Sequence, residues 1–382
     1  MALCQHSALL APPFMKSALR LFFSLVLFFS LLAACQFLPR IAADAPLKEA
    51  LFYTKLDNLA VQCQLCPRRC VIPEGKRGFC RVRENRGGTL YTLSYGKLVS
   101  LNDVDPIEKK PLFHFLPSTK TMSLATASCN LRCKFCQNWE ISQRAPEEID
   151  YNYLEPAELV KKALTSARPT IAYTYTEPTI FYEYMLETAM AARQAGIRNV
   201  MHSNGYINVE PLRKLAKYLD AANIDLKGFS DDYYGRLAEG TLEPVLRSLK
   251  VLKEEGVHLE ITNLIVSGYN DDPETIRKMC LWIRENLGPD VPLHLSRAYP
   301  MYKLTGINPT SYETLLAARD IATSCGLNYV YIGNLVGNPF ESTYCPKCGK
   351  VVIRRNGYFV VENNIEEGKC KFCGEKIAGI WK

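Results

Sequence analysis

The stretch "CNLRCKFCQNWEIS", Cys129 to Ser142, sets three cysteines on one short loop: Cys129, Cys133 and Cys136, spaced C-x3-C-x2-C. A closed structural metal site takes four protein ligands, so three leave a coordination position open. Zinc sites with an open position usually include His or a carboxylate among their ligands. Three soft thiolates suit an iron–sulfur cluster better. A four-iron cluster held by three cysteines keeps one iron free for a substrate or cofactor.

Outward from this loop the chain repeats itself. The loop follows a β-rich run, "TMSLATAS" (121–128). "PTIAYTY" (169–175) is a second run, and it precedes a helical pattern from Pro178 to Ala195. Pro stands in the first turn of that helix and Gly196 just past its end, the expected asymmetry. Phe181, Tyr184, Met185, Thr188 and Ala192 recur at helical spacing and mark its inner face. "RNVMHSN", "AANIDLK", "HLEITNLIV" and "PLHLSRA" lead in turn into helical patterns near 209–219, 231–255, 273–287 and 311–324, and "NYVYIG" closes the series near Ile332. Strands alternating with helices predict βα units and a parallel sheet. Six core units with a seventh strand-like run predict an α/β fold, a partial parallel (β/α)6 TIM-like barrel, with a doubly wound sheet as the alternative. In either, ligands gather at the C-terminal ends of the strands. The polar residues there are Cys129, then Glu177, then Ser203 and Asn204, then Asp225 and Lys227, then Ser296 and Arg297.

Eleven of the fifteen cysteines fall in three clusters, and tight C-x2-C pairs in a large α/β chain read as metal sites rather than disulfides. Cys345, Cys348, Cys370 and Cys373, as "CPKCG" and "CKFCG", form a zinc ribbon in a C-terminal module, residues 339–382. Its intervening charges are mixed, with no basic and aromatic stripe, so no nucleic acid is expected. Cys63, Cys66, Cys70 and Cys80 form a four-cysteine site in an N-terminal module, residues 41–115, that suits zinc or a second, closed iron–sulfur cluster. Residues 116–338 carry the core. Cys280 and Cys325 read as buried free thiols. The formal charge of +7 counts every thiol as neutral, whereas a zinc on four thiolates carries net −2, so the charge is weak evidence for an acidic partner.

Residues 1–40 form a leader. "MKSALRLFFSLVLFFSLLAAC" (15–35) has two positive charges, an apolar run from Leu21 to Ala34, and an ending like a lipoprotein cleavage box at Cys35. The run of 14 residues falls short of the roughly 20 that span a bilayer, so a signal, a lipoprotein anchor or a tether is expected.

The cysteine spacing, with Phe135 before the third cysteine, resembles radical S-adenosylmethionine (SAM) enzymes, and the longer "CNLRCKFCQNWE" is similar to the pyruvate formate-lyase activating branch. The layout from about residue 60 onward, with "CQLCPRRC", "GYND" (268–271) and the terminal ribbon, resembles AmmeMemoRadiSam-system radical SAM enzymes. The resemblance implies a 4Fe-4S cluster on Cys129, Cys133 and Cys136 whose open iron chelates SAM, and reductive cleavage to a 5′-deoxyadenosyl radical. That radical takes hydrogen from a protein or small-molecule substrate, with a flavodoxin- or ferredoxin-like reductant supplying the electron. It also implies SAM contacts at Glu177, within "YTYTEP", at Ser203 and Asn204 in "HSNG", and at Asp225 and Lys227 in "NIDLK". His294 and Arg297 would flank the adenine. His202 stands where the activating enzymes carry a carboxylate of a cation site. The competing class is a non-catalytic iron–sulfur or zinc scaffold. The leader implies membrane association. Its charges orient the body outward, whereas SAM chemistry favours the cytoplasmic face.

Overall fold

Why the buried runs lie side by side follows from their hydrogen bonding. A computed structural model describes residues 47–382. Nine strands share one sheet: β1 (Lys97–Pro106), β2 (Lys120–Thr126), β3 (Asn152–Tyr153), β4 (Thr170–Tyr173), β5 (Arg198–Ser203), β6 (Ala221–Asp225), β7 (His258–Ile265), β8 (Leu293–Arg297) and β9 (Val330–Gly333). The order is β9-β8-β7-β6-β5-β4-β2-β1-β3. The seven strands β2 and β4 to β9 pair in parallel, while β1 and β3 add antiparallel pairings at one edge. The near-continuous burial of β2 and β4 is what a parallel sheet covered on both faces requires.

Six helices make the crossovers: α1 (Pro156–Thr165), α2 (Tyr182–Gln194), α3 (Val209–Ala216), α4 (Glu243–Glu254), α5 (Pro273–Leu287) and α6 (Tyr312–Ser324). The parallel strands follow one another in sequence order, with no point where the order reverses. A doubly wound sheet needs such a reversal, so that alternative is excluded. Right-handed crossovers in one direction put successive helices on one side of the sheet.

The sequence patterns found all seven parallel strands and five of the six helices. They did not register α1, which starts at Pro156 behind its N-cap Glu155 and buries only Leu159, Val160 and Ala163. The run 231–255 is broken rather than continuous: a short turn at Asp231–Tyr233, a π-helical turn at Tyr234–Ala238, then α4. The inner face of α2 is as the spacing predicts, with Phe181, Tyr184, Met185, Thr188 and Ala192 all buried.

Two small antiparallel sheets precede β1. One joins Tyr53–Lys55, Val61–Cys63 and Val71–Ile72, and the other Lys48–Glu49, Thr89–Thr92 and Arg83–Arg86. They are tied to the core by the buried Arg83–Glu183 ion pair, with Glu183 on α2. After β9 a three-stranded sheet, Thr343–Tyr344, Val351–Asn356 and Phe359–Asn363, has Cys345 and Cys348 between its first two strands, and a separate hairpin, Ile365–Glu366 and Lys369–Cys370, brings Cys370 and Cys373. The three-stranded sheet also contacts the core. Its buried Arg355 donates to the Phe113 carbonyl (2.7 Å) and to Thr343 Oγ1 (2.8 Å). Cys280 and Cys325 are buried free thiols, as expected. The leader, with Cys4 and Cys35, lies outside the described residues. Among the described residues no helix is long and apolar enough to cross a membrane.

Candidate active site at the strand ends

Ser128, two residues past the end of β2, has a positive φ of 84° and turns the chain into the cysteine loop. That conformation is uncommon outside glycine. It is held on both sides: Ser128 N–H donates to the Ile141 carbonyl (2.8 Å) and its hydroxyl to the Cys80 carbonyl (2.6 Å). The loop then lies along the π-helical turn, with Arg132 N–H donating to the Ala238 carbonyl (2.9 Å) and Lys134 N–H to the Leu237 carbonyl (2.8 Å). Trp139 stacks on Tyr302 at 5.2 Å. The three thiols are thereby presented by a braced loop.

Cys129, Cys133 and Cys136 line a cavity of ≈ 310 Å³ at the C-terminal ends of the parallel strands. Thr174, Tyr175 and Thr176 after β4 line it too, as do Ser203 of β5 and Asn204 after it, Asp225 of β6 and Lys227 after it, Thr262 of β7 and Ser296 of β8. Of the polar residues expected at the strand ends, Cys129, Ser203, Asn204, Asp225, Lys227 and Ser296 line this one cavity. All three thiols are free and buried or half-buried. Burial pushes the Cys133 thiol up to about 12, with nearby Lys227 pulling it down and Cys136 and Asp225 pushing it up. Such thiols ionise only against a bound cationic centre. The surroundings suit thiolates. Cys129 Sγ accepts from Leu131 N–H (3.4 Å) and from the Asn204 side-chain amide (3.7 Å), and Cys136 Sγ lies 3.2 Å from the Ser142 hydroxyl. Three sulfurs, two of them with hydrogen-bonding groups beside them, and open space beyond fit an iron–sulfur cluster with one exposed iron.

Asp225 is the charged feature of the cavity. Its two oxygens meet His202 Nε2 (3.0 Å) and Lys227 Nζ (2.8 Å). Burial would raise its pKa, but Lys227 and His202 hold the carboxyl well below the usual carboxylate range. Lys227 is correspondingly held charged: burial opposes the charge and Asp225 outweighs it. Both remain partly open to the cavity, with side-chain exposures of 25% and 14%. Where the resemblance places a metal-cation site, this chain puts its own lysine ammonium and an imidazole against the carboxylate.

Glu177 departs from expectation. It is fully buried and is not on the cavity wall. Its carboxylate accepts from Thr179 N–H (2.9 Å), the Thr179 hydroxyl (2.7 Å), the Ser203 hydroxyl (2.7 Å) and Asn204 N–H (2.8 Å). Three of these donors meet Oε1 and one meets Oε2, so the carboxylate is held inward, away from the cavity. It caps the turn Pro178–Phe181 and pins the end of β5 to the end of β4. Ser203 and Asn204 reach the cavity from that pinned segment. Asn204 also donates to Asn130 (2.9 Å), a residue the motif pattern did not single out although it follows Cys129 directly. Gly205 completes the bend with φ +68°, and a Cβ there would lie 2.9 Å from Ile224, so only glycine fits.

His294 and Arg297 also lie off the cavity wall. His294 is buried and bonds to Glu260 (2.6 Å), which also meets His258 (3.1 Å) and accepts from the backbone of Phe113 (3.1 Å) and His114 (2.8 Å). Depth along β8 explains it: His294 and Ser296 share a face, two residues apart, but Ser296 lies nearer the C-terminal end and reaches the cavity, whereas His294 joins an interior polar network with Tyr331, on which its ring stacks at 5.0 Å. Arg297 donates to the Thr310 carbonyl (2.8 Å) and lies over Tyr299.

Two walls came from outside the strand ends. Lys109 and Pro111 precede β2, and Tyr358 sits at the tip of the hairpin between Val351–Asn356 and Phe359–Asn363. The ribbon, read from its cysteines as structural, thus also contributes a side chain to the cavity. Its four sulfurs all lie within 4.8 Å of one another, with Cys345–Cys373 at 3.6 Å and Cys348–Cys370 at 3.8 Å. Tetrahedral Zn–S bonds of about 2.3 Å imply sulfur separations of about 3.8 Å, so the set fits zinc.

The fold and this three-thiol cavity define a class, and comparison with known proteins names it. The radical SAM superfamily matches residues 124–283. The chain thus carries a radical SAM domain. An uncharacterized protein of Methanocaldococcus jannaschii is 50% identical over 333 residues, which is 87% of this chain and 99% of that protein. The pyruvate formate-lyase 1-activating enzyme of Escherichia coli is 21% identical over 213 residues, 52% of this chain and 86% of that protein. Among solved structures, a radical SAM methyltransferase from Sphaerobacter thermophilus aligns with a TM-score of 0.46 at 16% identity, covering 62% of this chain and 71% of that one.

Proposed function

We propose that this protein is an enzyme that cleaves SAM reductively, using a 4Fe-4S cluster held by Cys129, Cys133 and Cys136, and abstracts hydrogen from a protein or small-molecule substrate. The observation that carries the reading is the cavity itself, lined by three thiols and no fourth together with Asp225, Lys227 and the segment 174–176. A non-catalytic scaffold has no use for such a space. When bound, the cluster supplies the electron that breaks the S–C5′ bond of SAM and leaves a 5′-deoxyadenosyl radical.

The chain's own residues do the rest. Asp225, kept ionised by Lys227 and His202, sets a fixed negative charge where it can meet the sulfonium or ammonium of SAM or accept from ribose hydroxyls. Ser203 and Asn204 are held in place through Glu177, which acts as a positioning residue. Leu131, Phe135 and Leu264 give the cavity apolar faces that keep water from a reactive radical. We read the open, sequentially wound sheet as a partial barrel. Its mouth, beside Lys109, Asn334 and Tyr358, admits the hydrogen donor. A flavodoxin- or ferredoxin-like protein serves as reductant, and the ribbon holds zinc. The leader is proposed as a membrane tether with the body on the cytoplasmic face, and digestion of the body by external protease in intact cells would sink that placement.

Anaerobic reconstitution followed by reduction with SAM tests the chemistry. Formation of 5′-deoxyadenosine is expected, and a C129A/C133A/C136A variant that still forms it would overturn the reading. Deuterium transferred into 5′-deoxyadenosine from labelled cell extract identifies the substrate pool.

A further inference from the structure

The four N-terminal cysteines have the chemistry of a metal site and the wrong spacing for zinc. Cys63, Cys66, Cys70 and Cys80 line one small cavity of ≈ 20 Å³, together with Leu65, Ile72, Ile180 and Asn130. Around a single zinc, sulfurs about 2.3 Å from the ion nearly touch and leave no such space between them. The molecule carries its own standard. Among the described residues, only the ribbon cysteines bring three or more ligating atoms all within 4.8 Å of one another. The N-terminal quartet fails that spacing, and so does the Cys129, Cys133, Cys136 triplet. Sulfurs must stand wider around a cube of irons than around one ion, because each binds a different iron set off the centre. The quartet therefore groups with the iron–sulfur triplet and not with the zinc ribbon.

Its position matters as much as its size. Cys80 and the triplet loop are joined directly, by the Ser128 hydroxyl on the Cys80 carbonyl (2.6 Å). Arg132 bridges the Phe79 carbonyl (2.6 Å) and the Cys129 carbonyl (2.7 Å). Asn130 lines the quartet's cavity and bonds to Asn204, whose amide touches Cys129 Sγ (3.7 Å). Arg68, on the loop between Cys66 and Cys70, donates to the Asn130 carbonyl (2.7 Å). On the far side the buried Arg83 points at Cys63 Sγ (3.6 Å), a guanidinium suited to a net negative centre. With four thiols and no free position, such a centre carries electrons and binds no substrate.

We propose that Cys63, Cys66, Cys70 and Cys80 hold a second, closed 4Fe-4S cluster that relays single electrons to the cluster on Cys129, Cys133 and Cys136. One electron leaves a ferredoxin- or flavodoxin-class protein, reduces the closed cluster by one, and passes on, returning that cluster to its oxidised state and reducing the SAM-binding one. No bond or proton moves in the relay. Its destination rests on the radical SAM reading, whereas the identity of the second cluster does not.

Metal counting and electron paramagnetic resonance on the intact chain, reconstituted with iron, sulfide and zinc together, test this. About eight irons and about one zinc per chain are expected. About four irons and about two zincs would overturn the proposal. In the reduced protein one signal should respond to added SAM and a second should not. Two iron signals with neither responding to SAM would leave the second cluster standing and overturn the radical SAM reading instead. The C129A/C133A/C136A variant should keep about four irons and the SAM-insensitive signal. Should that variant fail to fold, the intact-chain metal count decides. The C66S/C80S variant should lose the SAM-insensitive signal and, with it, protein-driven reduction of the remaining cluster. Unchanged reduction by the protein donor would overturn the relay.

Discussion

The ribbon and the central loop both gather cysteines, and they are built in opposite ways. In the ribbon two turns on small antiparallel strands bring four sulfurs within 4.8 Å, and Cys348 and Cys373 are exposed. Closure there is complete and local. In the central loop three sulfurs stand apart, on a loop braced through Ser128, Arg132 and Lys134, and line a cavity shared by five parallel strands. What the ribbon closes, the loop leaves open. A metal site's ligand count shows whether chemistry can happen there, and the spacing of its sulfurs shows how large a centre it holds.

Substitutions can break that contrast. The largest effect is expected from Cys133→Ala: loss of the cluster at the central loop and, with it, all SAM cleavage, read as 5′-deoxyadenosine. Retained cleavage would mean the loop does not hold the centre. The pair C345A/C370A should be nearly as costly to the ribbon, since structural zinc supplies about 10 kcal/mol or more of folding free energy. It should remove one zinc and raise proteolysis after Gly333 while the SAM-sensitive signal survives. Loss of that signal would show the two sites to be one folding unit.

Glu177→Ala tests the clamp between β4 and β5. It strips the partner from four buried donors and is expected to lower stability by about 3 kcal/mol or more. SAM affinity should fall with it because Ser203 and Asn204 lose their anchor. If affinity fell with stability unchanged, Glu177 would be a direct ligand after all.

The smallest effect concerns His114, which lies at 2.5 Å from both the Ala378 carbonyl and the Tyr331 hydroxyl. Burial holds its pKa down to about 3, below the ordinary 6.5. The unfolded chain therefore binds the proton first, and the stability from neutral His114 is complete above pH 6.5 and drains away as pH falls toward 3. His114→Gln should flatten the dependence of the urea midpoint between pH 4 and 7, by roughly a few kcal/mol at the acid end. Parallel curves for the two proteins would remove His114 from the acid response.

Much of this was legible before any coordinates. C-x3-C-x2-C after a strand, paired C-x2-C knuckles, and strands alternating with 3.6-period helices are local patterns, and local patterns survive in a sequence. Glu177 shows where legibility stops. Its place after β4 suggested a ligand, yet the Ser203 hydroxyl and Asn204 N–H that hold it inward lie 26 and 27 residues away. His294 failed for a related reason: nothing near it in sequence announces Glu260, 34 residues earlier. Tyr358 entered the cavity from a module whose cysteines spoke only of zinc.

By itself, then, the sequence determined the ligand chemistry, the count of thiols at each site and the succession of βα units, because each rests on residues close together in the chain. The tertiary structure alone decided which carboxylate faces the cavity, with Asp225 open and Glu177 spent, and how far apart the sulfurs of each set stand. Those properties depend on strand register and loop closure between distant segments, and no spacing along the chain encodes them.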